Sequence, residues 1–370
     1  MAKAVIVLGA GASAHCGAPL MWDFFDRAEE VVRSKRWPDS EWQFRLVFDA
    51  IHELSRVYAK SHIDTTNLEA VYSAFELAAV LGRLGEIEGR KIDDLPAALR
   101  EVILYTLTDC VRFDEPVGVA GPVARGYLHF INALRDPQFA PFWGEASIIT
   151  FNYDLALDRT LASEEVPYHY ALDDSPPAEG SLPVLKLHGS LNWHRDSLNK
   201  CIRVLQLPPV KRGNRLIQLG PGGSQPPFPL PLPKPETGQG SRLDPVIVPP
   251  SWSKSAHFAE LKSVWRAAGD ALKDAENILV VGYSLPRTDE FFRYLYALGT
   301  TSSTRFKNFV VVDPETAKDG SPRAGVERRF RALLGPLARE RFTYYEGLFE
   351  SLQSARDAAG RPLSDRLRRG

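Results

Sequence analysis

Gly9-Ala10-Gly11-Ala12-Ser13, followed by Gly17-Ala18-Pro19, comes directly after the apolar run Ala4–Leu8. Glycines placed right after a buried strand let backbone N–H groups come close to a pyrophosphate, and a following helix can turn its positive end toward that charge. Gly9 and Gly11 fit the G-x-G opening of a dinucleotide turn, but position 14 is Ala where a third glycine is expected. Ordinary strand–turn–helix packing uses the same residue types. The loop alone does not name its ligand.

Four more polar clusters follow apolar runs, where α/β proteins place functional groups. Thr150-Phe151-Asn152-Tyr153-Asp154 follows Ser147-Ile148-Ile149. The Asn152 amide can both donate and accept toward a ribose or a carboxamide, whereas Asp154 can equally cap the next helix. Lys186-Leu187-His188-Gly189-Ser190 brings a histidine suited to general-base work near neutral pH, or simply a satisfied polar residue at a strand end. His194 lies close behind, with no carboxylate or Cys at ligand spacing, so no metal pair is expected. Gly282-Tyr283-Ser284-Leu285 reads as a second Gly/Ser turn for a sugar or phosphate. Asp313, after Val310-Val311-Val312, is an acid that could hold ribose hydroxyls. Each cluster has a plain turn or cap alternative. Their common position after apolar runs is harder to explain that way.

The elements that must position these groups are predicted from periodicity. Strands are expected at Ala4–Leu8, Ala146–Thr150, Val184–Leu187, Val246–Val248, Asn277–Val281, Asn308–Val312 and Phe342–Tyr345, several of them continuous apolar runs of the kind a covered parallel sheet uses. Helices are expected at Asp154–Ala162, Ala256–Lys273, Asp289–Leu298 and Ala324–Leu334. From about Ser40 to Arg135 the spacing is helical, as in Thr66–Gly82 and Leu95–Phe113, with a cap at Thr65-Thr66-Asn67. The expected fold is α/β: a Rossmann-like, doubly wound parallel sheet spanning 1–35 and 140–370, with a helical insertion at 36–139. Residues 206–243 are expected as a proline-rich loop, since Pro221–Pro235 holds seven prolines. A proline-rich ligand for a partner domain is the alternative.

The chain has 370 residues, 44% hydrophobic and 25% charged, with a formal net charge of −1. These are the proportions of a soluble globular protein, and no global field points to nucleic acid or an anionic membrane. Arg366, Arg368 and Arg369 read as a solvated basic tail, with phosphate contact the lesser alternative. No run reaches membrane-spanning length and no secretion signal is seen, so a cytoplasmic protein is expected. Cys16, Cys110 and Cys201 are scattered and form no C-x-x-C pair, so neither a disulfide framework nor structural zinc is expected.

Taken in order, these motifs resemble the sirtuins. Gly9–Ser13 with Gly17-Ala18-Pro19 is similar to the family's G-A-G-x-S-x-x-x-G-x-P loop. Thr150-Phe151-Asn152-Tyr153-Asp154 resembles T-Q-N-x-D, His188-Gly189 matches H-G, and Gly282-Tyr283-Ser284 resembles G-T-S. The resemblance implies NAD bound as a substrate and cleaved at its nicotinamide–ribose bond. It places the pyrophosphate on Ala10–Ser13 within a binding set that includes Gly9, Gly11 and Pro19, and the adenosine half along Gly282, Ser284 and Asp313. It gives Asn152 and Asp154 the nicotinamide ribose and its water, and His188 the role of base. The departures also have implications. Phe151 replaces Gln, Asp23-Phe24-Phe25 lacks the Arg of D-F-R, and Asp313 stands where Asn is usual. The zinc-ribbon cysteines are missing, and Pro249-Pro250-Ser251-Trp252 occupies the acyl-lysine clamp. That combination resembles the NAD hydrolases of bacterial antiphage defence. It implies no metal, and a homo-oligomer or a partner such as a helicase-like ATPase or a nucleic-acid-guided protein. A deacylase or ADP-ribosyltransferase, and an NAD-sensing assembly subunit, are the alternatives.

Overall fold

A computed structural model describes residues 3–56, 62–87, 89–114, 123–143, 145–173, 177–196, 201–205, 207–212, 215–219, 244–248, 260–286, 289–302, 304, 306–314 and 325–363. The expectations for Pro221–Pro235, Pro249–Trp252 and the terminal arginines lie outside them.

Seven strands make the main sheet: β1 (Lys3–Leu8), β2 (Glu145–Thr150), β3 (Tyr168–His169), β4 (Leu182–Lys186), β10 (Asn277–Val281), β11 (Asn308–Asp313) and β12 (Phe342–Glu346). Their order is β12-β11-β10-β1-β2-β4-β3, and every pairing is parallel. The central strands are Val/Ile/Leu runs. Ile6, Val7 and Leu8, and all of β10 and β11, are buried, as a parallel sheet covered on both faces requires. Each such side chain contributes roughly 1.5–3 kcal/mol on leaving water.

Register decides where the chemistry lies. Leu8 is level with Thr150 on one side and Val281 on the other. Val281 is level with Val312, and Thr150 with Lys186. The chain therefore leaves β1, β2, β4, β10 and β11 along one rim, which is where all five polar clusters begin. Strand order reverses around β1: β2 follows on one side, whereas β10 and β11 occupy the other. The loop after β1 thus stands at the switch point, where open α/β sheets form a crevice.

The helices are α1 (Phe24–Arg33), α2 (Glu41–Leu54), α3 (Leu68–Leu81), α4 (Arg90–Cys110), α5 (Arg125–Arg135), α6 (Ala140–Trp143), α7 (Ala156–Ser163), α8 (Lys262–Asp274), α9 (Glu290–Gly299), α10 (Val326–Leu333) and α11 (Pro336–Glu340). Helices α1, α2 and α3 pack on α4, which buries Leu95, Leu99, Val102 and Ile103 at helical spacing. Asn67 caps α3, its side chain accepting from the N–H groups of Glu69 and Ala70. No helix among the described residues is long and apolar enough to cross a membrane.

Three local features differ from the sequence expectation. The loop after β1 turns through two short 3-10 segments, Ala10–Ala12 and Ala14–Cys16, and the first α-helix begins only at Phe24. Gly17, with φ of 90°, breaks the coil there, so no α-helix points its positive end at Gly9–Ser13. Val246–Val248, expected within the main sheet, belongs instead to β9 (Asp244–Ile247), antiparallel to β5 (Gly189–Asp196) in a separate sheet with β6 (Cys201–Val204). A third difference is a hairpin, β7 (Leu207–Arg212) with β8 (Arg215–Leu219), in the first part of the expected 206–243 loop. Two prolines, Pro208 and Pro209, lie within β7, and the pairing register shifts there, between Leu207 and Val210.

Candidate active site

The two glycine turns at the switch point are fitted backbone to backbone. Gly11 N–H donates to Gly282 O at 2.9 Å, and Gly9 N–H to Val281 O at 3.4 Å. A Cβ on Gly9 would lie 2.7 Å from Gly282 O, and one on Gly11 2.9 Å from the same atom. Gly282 has φ of 64°, and its Cβ would meet Ala12 N at 2.4 Å. Ala12 N–H and Ser13 N–H close turns onto Gly9 O and Ala10 O. These glycines serve loop–loop contact, a use the motif could not distinguish from phosphate contact. Ala10, Ala14 and Gly17 form the exposed side of the loop.

Asn152 crosses from the end of β2 to this loop. Its Nδ2 lies 2.9 Å from Gly9 O, 3.1 Å from Ser13 Oγ and 3.4 Å from the Tyr127 hydroxyl. A carbonyl oxygen can only accept, so the atom facing Gly9 O must be the amide NH₂. The flip of the side chain is therefore fixed, and Oδ1, an acceptor, takes no hydrogen bond among the described residues. Thr150 Oγ1 accepts the Asn152 backbone N–H at 3.2 Å and holds the turn.

Ser13 is fully buried. Its Oγ accepts from Asn152 Nδ2 at 3.1 Å and shares a 2.9 Å hydrogen bond with the Tyr127 hydroxyl. Asp154 is itself buried. Desolvation pushes its carboxyl above the ordinary value, against the opposing pull of Lys186, the Ala156 N–H and Ser13. The Ala156 N–H reaches Asp154 Oδ1 at 2.9 Å, so the helix-starting role and the network role coincide in one side chain.

Lys186, at the end of β4, underpins this corner from below. Its Nζ donates to Asp154 O at 2.6 Å and pairs with Asp158 at 3.0 Å, all buried. The Tyr170 hydroxyl also donates to Asp158, so the buried charge pair is hydrogen-bonded on more than one side. His188 follows Lys186 by two residues and is buried. Its ring meets Phe151 edge-on at 5.2 Å and lies 6.1 Å from the Tyr153 ring. Its carbonyl accepts from Val248 N–H at 2.8 Å. Gly189, with φ of 90°, turns the chain sharply after it, and a Cβ there would sit 1.9 Å from Val246 O.

The remaining predicted residues are held mainly through backbone. Ser284 O accepts from Arg329 Nε at 2.9 Å. Asp313, buried at the end of β11, accepts at its carbonyl from Gly347 N–H and the Tyr344 hydroxyl. Gly282 N–H reaches Val312 O at 3.4 Å, which ties that turn to β11. Pro19 is buried, and the Asp23 carboxylate accepts the Leu20 N–H at 2.6 Å just after it. The structure thus draws Gly9, Gly11, Ser13, Asn152 and Gly282 into direct contact, with the Asp154 carboxyl influenced by Ser13. His188 adjoins them through the Phe151 ring, and Phe151 in turn stacks on Tyr283 at 4.5 Å. No contact joins Ser284 or the Asp313 side chain to the Ser13–Asn152 network among the described residues.

Sequence reasoning missed Tyr127, which reaches Ser13 from α5. It also missed Phe349, which braces the Tyr127 ring at 4.8 Å and stacks on His15 at 5.5 Å. Burial lowers the His15 pKa, so this ring is neutral near pH 7. Gly126, packed under the His15 ring, was the one available signal: glycine inside a helical run marks close approach. Among the described residues no group of three His, Cys, Asp or Glu side chains could hold a metal ion.

Residues 146–202 match the family described as SIR2-like domain. That span carries Asn152, Asp154 and His188; the Gly9–Ser13 loop lies outside it. Among solved structures, a Sir2 homologue–NAD complex is 14% identical, with a TM-score of 0.39, over 100% of this chain and 89% of that one. A Sir2 homologue variant with ADP-ribose is 16% identical, with a TM-score of 0.32, over 90% of each chain. No curated protein matches the chain.

Proposed function

We propose that this chain is an NAD-using enzyme that hydrolyses the nicotinamide–ribose bond, giving nicotinamide and ADP-ribose. The observation that carries the reading is the fixed amide of Asn152, anchored through Nδ2 on Gly9 O and Ser13, with its acceptor oxygen in no hydrogen bond among the described residues. The match of residues 146–202 to the SIR2-like domain supports it. Nicotinamide leaves as a neutral group from a cationic ring, so the bond weakens through an oxocarbenium-like state. A site for that reaction needs orientation, a controlled water and one base more than it needs a strong nucleophile. Asn152 Oδ1 would accept from the ribose hydroxyl or the attacking water. Asp154, through Ser13, would hold that amide in place. His188, at the neighbouring strand end, would take the water's proton. The Gly9–Ser13 turn, with Pro19, would carry the pyrophosphate on its exposed side, and Gly282, Ser284 and Asp313 would lie along the adenosine half.

The helical insertion and the sequence's three scattered cysteines, too few for a four-cysteine zinc ribbon, support the defence-hydrolase branch of the resemblance. On this reading the enzyme is cytoplasmic and acts in an assembly of its own copies or with a partner protein. The test is nicotinamide release from NAD by the purified chain, alone and with whatever co-purifies. Turnover that drops about 100-fold or more in Asn152→Ala and in His188→Ala is expected. Absence of turnover in every assembly state, or full turnover in both variants, overturns the reading.

A further inference from the structure

We propose that Tyr127, supplied by the helical region between β1 and β2, is a positioning residue for the Asn152–Ser13 pair. The inference rests on the NAD-cleaving reading above and adds a residue that no motif assigns. Tyr127 is buried, and its hydroxyl lies 2.9 Å from Ser13 Oγ and 3.4 Å from Asn152 Nδ2. Ser13 Oγ accepts from Asn152 Nδ2, and the tyrosine hydroxyl is its second side-chain partner. Without the hydroxyl, Ser13 Oγ loses that partner, and one restraint on the Asn152 amide goes with it.

The ring is placed by packing and by a keyed helix. Phe349 meets it at 4.8 Å and His15 at 5.6 Å, both edge to face. Helix α5 begins where Ala124 N–H donates to Thr160 Oγ1 of α7 at 3.2 Å, and Thr160 Oγ1 donates to Ala156 O at 2.7 Å. The start of α5 is thereby fixed to the helix that follows Asp154. The same helical region touches the loop twice more. Arg112 N–H donates to Cys16 O at 2.7 Å, and a Cβ on Gly17 would lie 2.6 Å from Cys110 O. These contacts with one loop make this region part of the site's wall, and Tyr127 is the contact whose side chain enters the network. A shift of α5 would move that hydroxyl and with it the partner of Ser13 Oγ.

The experiment compares wild type, Tyr127→Phe and Asn152→Ala as full chains. Steady-state nicotinamide release, the thermal midpoint and hydrogen exchange of the Ala12–Ala18 amides are measured for each. Tyr127→Phe keeps the ring, so the midpoint should stay near that of wild type. The expected result is a kcat fall of roughly 10- to 100-fold, with KM changed less than about threefold, and faster exchange in the loop. Wild-type kcat in Tyr127→Phe beside a silent Asn152→Ala overturns the inference while leaving the NAD reading intact. A kcat fall matched by a lost thermal midpoint also overturns it, since the residue is then only structural. If wild type itself shows no turnover, the NAD reading fails, and unchanged loop exchange in Tyr127→Phe would still overturn the positioning role.

Discussion

The turn after β1 and the turn after β10 touch through glycine backbone, but their side chains join different networks. Ser13 links Asn152 and Tyr127. In the other turn, Gly282 wedges against Ala12, Tyr283 gives its hydroxyl to Asp289, and Ser284 O accepts from Arg329. Both turns follow a strand buried over its last five residues, and both join glycine to serine within a few residues. What separates them is the partner: β2 sends the Asn152 amide into the first, whereas Tyr283 of the second stacks on Phe151. Polar function at a glycine turn therefore depends on the neighbouring strand end.

Breaking the comparison at its shared point should have the largest effect. Gly282→Ala forces a left-handed residue and drives a methyl into Ala12 N, which together should cost about 2–5 kcal/mol. Denaturant unfolding checks this, and a stability near wild type would show that the two turns can part freely.

Changing the side of the first turn alone should separate activity from stability. Asp154→Asn removes a buried charge whose pKa is raised above the ordinary 3.8. The folded state then holds the Asp154 proton more tightly than the unfolded state. The stability linked to it is complete below the ordinary value and is lost as pH rises through the folded one. The variant should be no less stable than wild type at pH 7, with a flatter stability profile above pH 4, while nicotinamide release falls about 10-fold. Chemical unfolding at several pH values, read beside turnover, checks both halves.

In the second turn, Ser284→Ala should leave kcat within about threefold, because the contact Ser284 makes among the described residues is through its backbone and its proposed place is along the adenosine half, away from the bond that breaks. A fall as large as that of Asp154→Asn would mean the second turn uses its side chain after all.

Much of this was legible in the residues. The central strands announced themselves as short Val/Ile/Leu runs, and Asn67 as a cap, because burial and capping act locally. The Asn152 and His188 clusters were found because strand ends in a parallel sheet share one rim. Tyr127 was hidden, since its partner Ser13 lies 114 residues away and a tyrosine on an amphipathic helix reads as core. Strand β5 was missed although Ser190-Leu191-Asn192-Trp193-His194 alternates with period two. Its polar members are buried too, Asn192 on Ser190, Tyr170 and Leu205 O, which blurs the usual inside–outside pattern. The glycines at 9 and 11 were read as places of close approach to a pyrophosphate. That the close approach includes Gly282 was beyond sequence, because which loops meet depends on strand order.

The central claim is that the orientation of the Asn152 amide makes the site. Asn152→Asp keeps the size and the acceptor oxygens but sets a carboxylate oxygen against Gly9 O and removes both N–H donors. Nicotinamide release from NAD by this variant, beside wild type and Asn152→Ala under identical assembly conditions, tests the claim directly. The account predicts that Asn152→Asp is as impaired as Asn152→Ala, about 100-fold or more below wild type. Activity in Asn152→Asp close to wild type would contradict it, since an acceptor oxygen alone would then suffice.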